Sequence, residues 1–234
     1  VTTYRFGLAT TGNADNYRLQ NKSWDMVHYH DWTYEIKEGH SNKIIAYCNE
    51  TENPAHCAYQ GRNEAVSCTV TAESRAYDGT EYAGAVVNNW ITEKTGEAAV
   101  TYYEGTGDTD YPENENAPVN AGTYKFVVKI ADVTAYAEFE IQRLDQNVEF
   151  DVIDYTFGDS VEAPAVTGAQ EDPVIEYYYT TENSNTDGTL WENSRSADPG
   201  TYYMYAKVCA TTNYNEYVTQ PVQFTVAKRE APTD

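Results

Sequence analysis

A chain of 234 residues has room for one large domain or for two to three small ones, and with 41% hydrophobic and 14% aromatic residues it can bury cores and is not a disordered tail. Its formal net charge of −22 argues against nucleic acid and anionic membrane surfaces as partners, since both require a positive field. No run of about 18 apolar residues occurs, so nothing in this stretch inserts directly into a membrane as a spanning helix.

The plain reading of the acidity is solubility, and cation binding is the alternative. Tyr outnumbers Phe 22 to 6, which suits strand faces with wet rims, because the ring packs while the hydroxyl stays solvated. With no leader or sorting tail in view, the sequence reads as part of a longer protein.

In chain order, residues 1–30 are the least regular. Tyr4 to Leu8 and Trp24 to Tyr29 read as short strands around a turn-rich stretch, either the tail of a preceding module or part of a small N-terminal one. His28 and His30 share strand parity, but no Cys or carboxylate stands at fixed ligand spacing from them, so surface histidines are the plainer reading than a metal pair. Asp31 to Ile36 and Lys43 to Cys48 flank a polar turn, the pattern of a hairpin. A polar loop follows, bounded by Cys48 and Cys57.

From Thr69 the pattern steadies. Thr69 to Ala72 is a strand, and Ala76 to Thr80 a turn with Gly79 where positive φ is tolerated. Ala98 to Tyr103 is a strand, residues 104–116 an acidic loop, Gly122 to Ile130 a long strand, and Ala135 to Ile141 the last. In Gly122 to Ile130 the inward parity falls on Tyr124, Phe126, Val128 and Ile130, and the outward parity on Thr123, Lys125, Val127 and Lys129.

After a short joint, Gln142 to Asp145, the order repeats. Val148 to Val152 is a strand, Tyr155 to Asp159 a turn, Val174 to Tyr179 a strand, 180–193 a polar loop, Gly200 to Val208 the long strand, and Val222 to Val226 the last. Gly200-Thr201-Tyr202 repeats Gly122-Thr123-Tyr124 at a distance of 78 positions, again with Tyr202, Met204, Ala206 and Val208 inward. Both glycines are expected to open their strands in a conformation that a residue with a Cβ avoids. The joint, lying between separate cores, is expected to couple them weakly. No helical period survives beyond a turn or two. Short strands at this spacing predict an all-β chain of tandem sandwiches behind a small β unit. The divisions are 1–68, 69–143 and 144–228, with a polar tail at 229–234.

Ala76-Tyr77-Asp78-Gly79-Thr80, then Val100-Thr101-Tyr102-Tyr103, then Pro118-Val119-Asn120-Ala121-Gly122-Thr123-Tyr124, resembles the Ig-like repeats called MBG or YDG domains, which occur in tandem in large bacterial cell-surface proteins. The second copy keeps Pro199-Gly200-Thr201-Tyr202 but lacks the Tyr-Asp-Gly triplet. His30 to Tyr34 followed by Ile45 to Cys48 resembles a short Cys-containing module that precedes such repeats. The resemblance implies tandem Ig-like sandwiches, an extracellular or cell-surface location, and a stalk or adhesion role. It implies no catalytic site and no cofactor, and as partners neighbouring repeats and a host glycan or protein.

In an extracellular protein Cys48 and Cys57 read as a disulfide, worth about 2–3 kcal/mol in the loop-entropy model. A zinc site on Cys48, His56, Cys57 and one further ligand is the rival, although the spacing is not the usual Cys-x₂-Cys. Cys68 and Cys209 read as small buried hydrophobes inside strands. Asp108, Asp110 and Glu113 offer oxygen ligands for calcium in a loop that lacks the EF-hand pattern. Lys129 and Lys207 hold the same position in the two copies, a place to look for Lys–Asn isopeptide cross-links, but their parity is outward.

Trp90, Trp191 and Tyr111, with Tyr102, Tyr103, Tyr177 and Tyr179, are candidates for stacking on sugar faces, against the ordinary reading of core or cross-strand packing. No nucleophile elbow, HExxH or phosphate-cradling glycine loop occurs. The functional expectation is a non-catalytic surface segment. Its alternatives are a carbohydrate- or host-ligand-binding module and an accessory part of a larger extracellular enzyme.

Overall fold

The computed structural model describes residues 32–49, 59, 66–89, 91, 99–104, 113–114, 116–161, 163–191 and 198–231. Among the described residues there is strand and turn but no helix. The predicted hairpin forms as β1 (Trp32–Ile36) and β2 (Lys43–Cys48), antiparallel, with Gly39 at φ 77° in its turn. β2 alternates, placing Ile44, Ala46 and Cys48 in the core. β3 (Val66–Ala72) pairs antiparallel with β2 from Lys43↔Thr69 to Ala46↔Val66. Asn42 clamps the end of this pair: its carbonyl accepts the Val70 N–H at 2.9 Å and its Nδ2 donates to the Val70 carbonyl at 3.0 Å. With β5 (Ala85–Asn89) these strands form one sheet in the order β1-β2-β3-β5.

A second sheet is built from β4 (Arg75–Ala76), β6 (Ala99–Glu104), β7 (Glu113–Asn114), β8 (Gly122–Ile130) and β9 (Val133–Gln142), in the order β4-β9-β8-β6-β7. On β8 the residues of inward parity, Tyr124, Phe126, Val128 and Ile130, are all buried. The outward parity is only half right. Thr123 and Lys129 are exposed, but Lys125 and Val127 are buried as well. β8 lies between β9 and β6, where both faces of a strand can be covered, and the Lys125 Nζ reaches toward Glu138 Oε1 of β9 at 3.9 Å.

The remaining strands are β10 (Glu149–Asp151), β11 (Tyr155–Thr156), β12 (Ala165–Thr167), β13 (Ile175–Thr180), β14 (Thr189–Leu190), β15 (Gly200–Val208), β16 (Tyr217–Val218) and β17 (Val222–Ala227). β10 pairs with β12, and the others form a sheet ordered β11-β17-β15-β13-β14, with β16 beside β15. This is the order of the second sheet, strand for strand. In each the short first member is parallel to its neighbour, β4 to β9 and β11 to β17. The chain leaves that pair by the same bond: the Tyr77 N–H donates to the Gln142 carbonyl and the Phe157 N–H to the Ala227 carbonyl, both at 2.9 Å. The chain is all-β and its repeats are Ig-like sandwiches. In the second, Met204, Phe224 and Val226 form the core, and Phe150 and Val152 pack on it from the β10 side.

By packing, the chain divides into two compact units. One is Val1–Thr71, Ala85–Thr101 and Phe126–Ala137; its buried residues include Ile44, Val70 and Val128. The other is Ala72–Gly84, Tyr102–Lys125 and Glu138–Asp234. Both copies contribute to this second unit, and the joint between them lies wholly inside it.

Candidate functional site: a hydrogen-bonded joint

The site is built from the Gly-Thr-Tyr strand openings. Tyr124 donates its hydroxyl to the Asn120 carbonyl at 2.8 Å, and Tyr202 donates to the Asp198 carbonyl at 2.9 Å, each four residues back. This is the tyrosine corner of Ig-like sandwiches, a tyrosine tied to backbone a few residues upstream. Each ring also packs inward, Tyr124 stacked on Phe139 at 5.5 Å and Tyr202 on Phe224 at 5.7 Å.

The two glycines do not have the expected conformation. Among the described residues the glycines at positive φ are Gly39, Gly79, Gly158 and Gly168. What Gly122 supplies is clearance: a Cβ there would stand 3.1 Å from the folded-back Tyr124 hydroxyl, and one on Gly200 would stand 3.4 Å from Tyr202 Cε2. The Tyr-Asp-Gly-Thr turn does follow expectation, with Gly79 at φ 75°. Asp78 Oδ1 accepts from the Thr80 N–H at 2.9 Å and its hydroxyl at 2.7 Å, while Asp78 Oδ2 is bonded to Arg75 Nη1. The Thr80 bonds, with Arg75 behind them, hold the Asp78 carboxyl below its ordinary range.

The first tyrosine corner fixes the backbone at Asn120 and Ala121, and there Asn213 enters. β8 and β9 are joined by residues 131–132 alone, whereas β15 reaches β17 through residues 209–221, and that longer connection carries Asn213. Only 3% of Asn213 is exposed, and every polar group it has is satisfied. Its Oδ1 accepts the Ala121 N–H at 2.7 Å, and its Nδ2 donates to Asn120 Oδ1 at 3.3 Å and to Glu171 Oε1 at 2.5 Å. Its N–H donates to Glu171 Oε2 at 3.0 Å, and its carbonyl accepts the Leu144 N–H at 2.9 Å.

Around it Leu144 bridges Tyr214 in parallel fashion, and the Asn215 N–H donates to the Leu144 carbonyl at 2.7 Å. Asn215 Nδ2 donates to Asp145 at 2.9 Å, and Arg143 Nε to the Thr212 carbonyl at 3.2 Å. The Tyr77 and Tyr214 rings meet edge-on at 6.2 Å. Buried Gln146 exchanges two bonds with the Gln170 backbone, accepting its N–H at 3.0 Å and donating to its carbonyl at 3.4 Å. The expectation of a weakly coupling joint is therefore overturned. A joint without Pro or Gly keeps its backbone donors and acceptors in fixed places, and the 209–221 loop meets them. Each bond contributes about 0.5–1.5 kcal/mol net, and leaving a buried partner unpaired costs about 1–3 kcal/mol.

The turn that carries Glu171 is strained. Glu171 (φ 63°) and Asp172 (φ 45°) are consecutive left-handed residues without glycine, and Asp172 precedes Pro173, which favours an extended conformation before it. Left-handed backbone costs a residue with a Cβ about 1–2 kcal/mol. The Asn213 bonds, then Thr211, hold the Glu171 carboxyl below its ordinary range.

Other predicted positions fall as follows. Tyr177 and Tyr179 face the second core, not solvent: Tyr177 stacks on Phe150, and Tyr179 meets Tyr202 edge-on, both at 6.2 Å. The outward parity belongs to Tyr178, whose ring stacks on Tyr205 at 5.3 Å and whose hydroxyl donates to Glu176 at 3.0 Å, pushing its own pKa up. Trp191 is half-buried and lies edge-on to Tyr177 at 6.2 Å. Cys68 is a buried thiol in β3, pushed up to about 11 by desolvation, whereas Cys209 lies half-buried just beyond β15 and not within a strand. Lys129 is exposed, and Lys207 is paired with Glu216 at 3.1 Å.

Cys48 is buried in β2, but Cys57 and His56 lie outside the described residues, as do Trp90, Tyr111, Asp108, Asp110, His28 and His30. Of Glu113, Tyr102 and Tyr103 only the backbone is described, in β7 and β6. Among the described residues no three His, Cys, Asp or Glu side chains cluster as metal ligands would. Sequence reasoning missed Asn213 and Glu171, since neither belongs to a motif. The one available signal was that the loop after Val208 is far longer than the one after Ile130.

No protein-family model matches the chain, and no curated protein matches it. Among solved structures it is similar to the I67–I69 fragment of the titin I-band, with 10% identity over 88% of this chain and 84% of that one, at a TM-score of 0.29. It is also similar to immunoglobulin domains 1–5 of Sidekick-1, with 11% identity over 80% of this chain and 45% of that one, at a TM-score of 0.22.

Proposed function

We propose that the chain is a non-catalytic segment of a bacterial surface or secreted protein, in which Ig-like modules of the MBG type are joined end to end as a stiff stalk. The observation that carries this reading is Asn213, a buried side chain that ties the second copy to the backbone of the first and has no polar group left over for a ligand. Bending such a joint would break several of these hydrogen bonds at once, which suits a spacer better than a flexible tether. The strong negative charge suits an exposed, soluble spacer. Neighbouring modules of the same protein are its first partners, and a host glycan or protein would be met by parts that the stalk presents.

Amide ¹⁵N relaxation tests the mechanical part. Both copies should tumble with one correlation time, and two independent times would refute a stiff joint. Antibodies raised against the chain test its location: they should label intact, unpermeabilised cells of the bacterium that makes it, and labelling only after lysis would refute a surface role.

A further inference from the structure

We propose that the turn at Glu171 and Asp172 is an acid-released latch on the joint: with Glu171 ionised it holds Asn213 in place, and protonation lets the strained turn relax and frees the copies from one another. This rests on the stiff-joint reading above. The geometry supplies both halves of the device. Glu171 offers one carboxylate oxygen to the Asn213 N–H and the other to its Nδ2, so the ionised form fills both donors. A protonated carboxyl keeps one good acceptor and turns an O–H toward a donor. The same Asn213 side chain holds Asn120 and Ala121, so what loosens at Glu171 loosens there.

The strain sets the direction of the change. Two left-handed residues ahead of a proline persist only where surrounding contacts over-determine them. The Glu171 contacts to Asn213 are such contacts, and without them the turn returns toward ordinary backbone. Among the described residues no cation pairs with this carboxylate. Its neighbours are Asn213 and the Thr211 hydroxyl. Asp172 adjoins it in sequence, and of the charged groups on the adjoining segments, Arg143 is bonded to the Thr212 carbonyl, Asp145 to Asn215, and Glu216 to Lys207. The folded Glu171 carboxyl lies below its ordinary value, so the latch is complete above the ordinary glutamate range of about 4.3 and is lost as pH falls through the lower folded value.

The test is amide relaxation of the whole chain as pH is lowered from neutral through the titration of Glu171, which its carboxyl ¹³C shift follows, with circular dichroism to follow folding. The wild type should pass from one shared tumbling time to two shorter ones. Glu171→Gln should show two at neutral pH, with no further change in acid. Asp172→Gly should keep the latch, relieve strain, and move the release to lower pH. The latch is overturned if Glu171→Gln stays locked at neutral pH, if it undergoes the wild-type acid transition, or if the folded wild type stays locked once its Glu171 carboxyl has titrated. An Asp172→Gly release at the wild-type pH or above overturns the role of strain. Two tumbling times in the wild type at neutral pH would instead remove the stiff joint itself, and the latch with it.

Discussion

Tyr124 and Tyr202 stand 78 residues apart and make the same bond, each hydroxyl reaching the carbonyl four residues upstream, Asn120 at 2.8 Å and Asp198 at 2.9 Å. The bond fixes which face of the strand each ring enters, because a strand has period two and a one-residue slip would reverse every side chain. The shared Gly-Thr-Tyr is thus a register device, used once per sandwich. In the first copy it also presents the Ala121 N–H and the Asn120 side chain to Asn213.

Removing either hydroxyl should cost about 1 kcal/mol, the net worth of one hydrogen bond. Tyr124→Phe and Tyr202→Phe should therefore lower the denaturation midpoint by similar amounts. The glycines should separate them. Gly122→Ala puts its Cβ 3.1 Å from the tied hydroxyl, and Gly200→Ala has 3.4 Å. The first should cost about 1–3 kcal/mol, as overpacking does, and the second much less. Equal losses in urea denaturation would show that clearance is not what selects glycine.

Asn213→Ala should destabilise the chain by about 1–2 kcal/mol, because it removes the bonds of the Asn213 side chain to the Ala121 N–H, Asn120 and Glu171. Asn213→Asp is nearly the same shape but sets a second carboxylate against Glu171. One of the pair must then titrate at a raised pKa. The deficit relative to wild type should be largest at neutral pH and shrink as pH falls through that raised value. Denaturation at neutral and acid pH checks this, and a deficit that grows in acid contradicts it.

The strand plan was legible because it rests on period-two patterning. Gly122 to Ile130 and Gly200 to Val208 occupy the bounds expected of them. Lys125 was misplaced because parity tells which face a residue takes, not whether that face is covered. Tyr177 and Tyr178 could not be sorted into core and surface from composition, since tyrosine suits either. The joint was opaque for a different reason: Asn213, Glu171 and Asn120 are 42 and 93 residues apart, and nothing local marks them as partners.

Asp78 should titrate below its ordinary value of about 3.9, because its ionised form accepts two bonds from Thr80. Thr80→Val removes the hydroxyl bond and should bring the value back toward ordinary, read from the carboxyl ¹³C shift against pH. Since the folded pKa is depressed, the turn should hold at neutral pH and loosen as pH falls through the folded value. A Thr80→Val titration that coincides with wild type would contradict the assignment.

Gly188 sits over the Tyr178–Tyr205 stack, and its N–H donates to the Tyr205 hydroxyl at 3.1 Å. A Cβ there would lie 2.8 Å from Tyr205 Cε1 and 2.9 Å from Tyr178 Cβ. Gly188→Ala should lift the loop from Tyr205, at a cost of about 1–3 kcal/mol. Hydrogen exchange should show faster exchange at residue 188 with the β15 core unchanged. Unaltered protection there would contradict the packing described.

The most direct test of the central claim is a set of backbone residual dipolar couplings on the weakly aligned chain at neutral pH. A stiff joint predicts that couplings from the first and second Ig-like copies fit a single alignment tensor, and that Asn213→Ala splits them into two. Two tensors of different magnitude in the wild type would mean that the copies reorient independently, and the stiff joint would not exist.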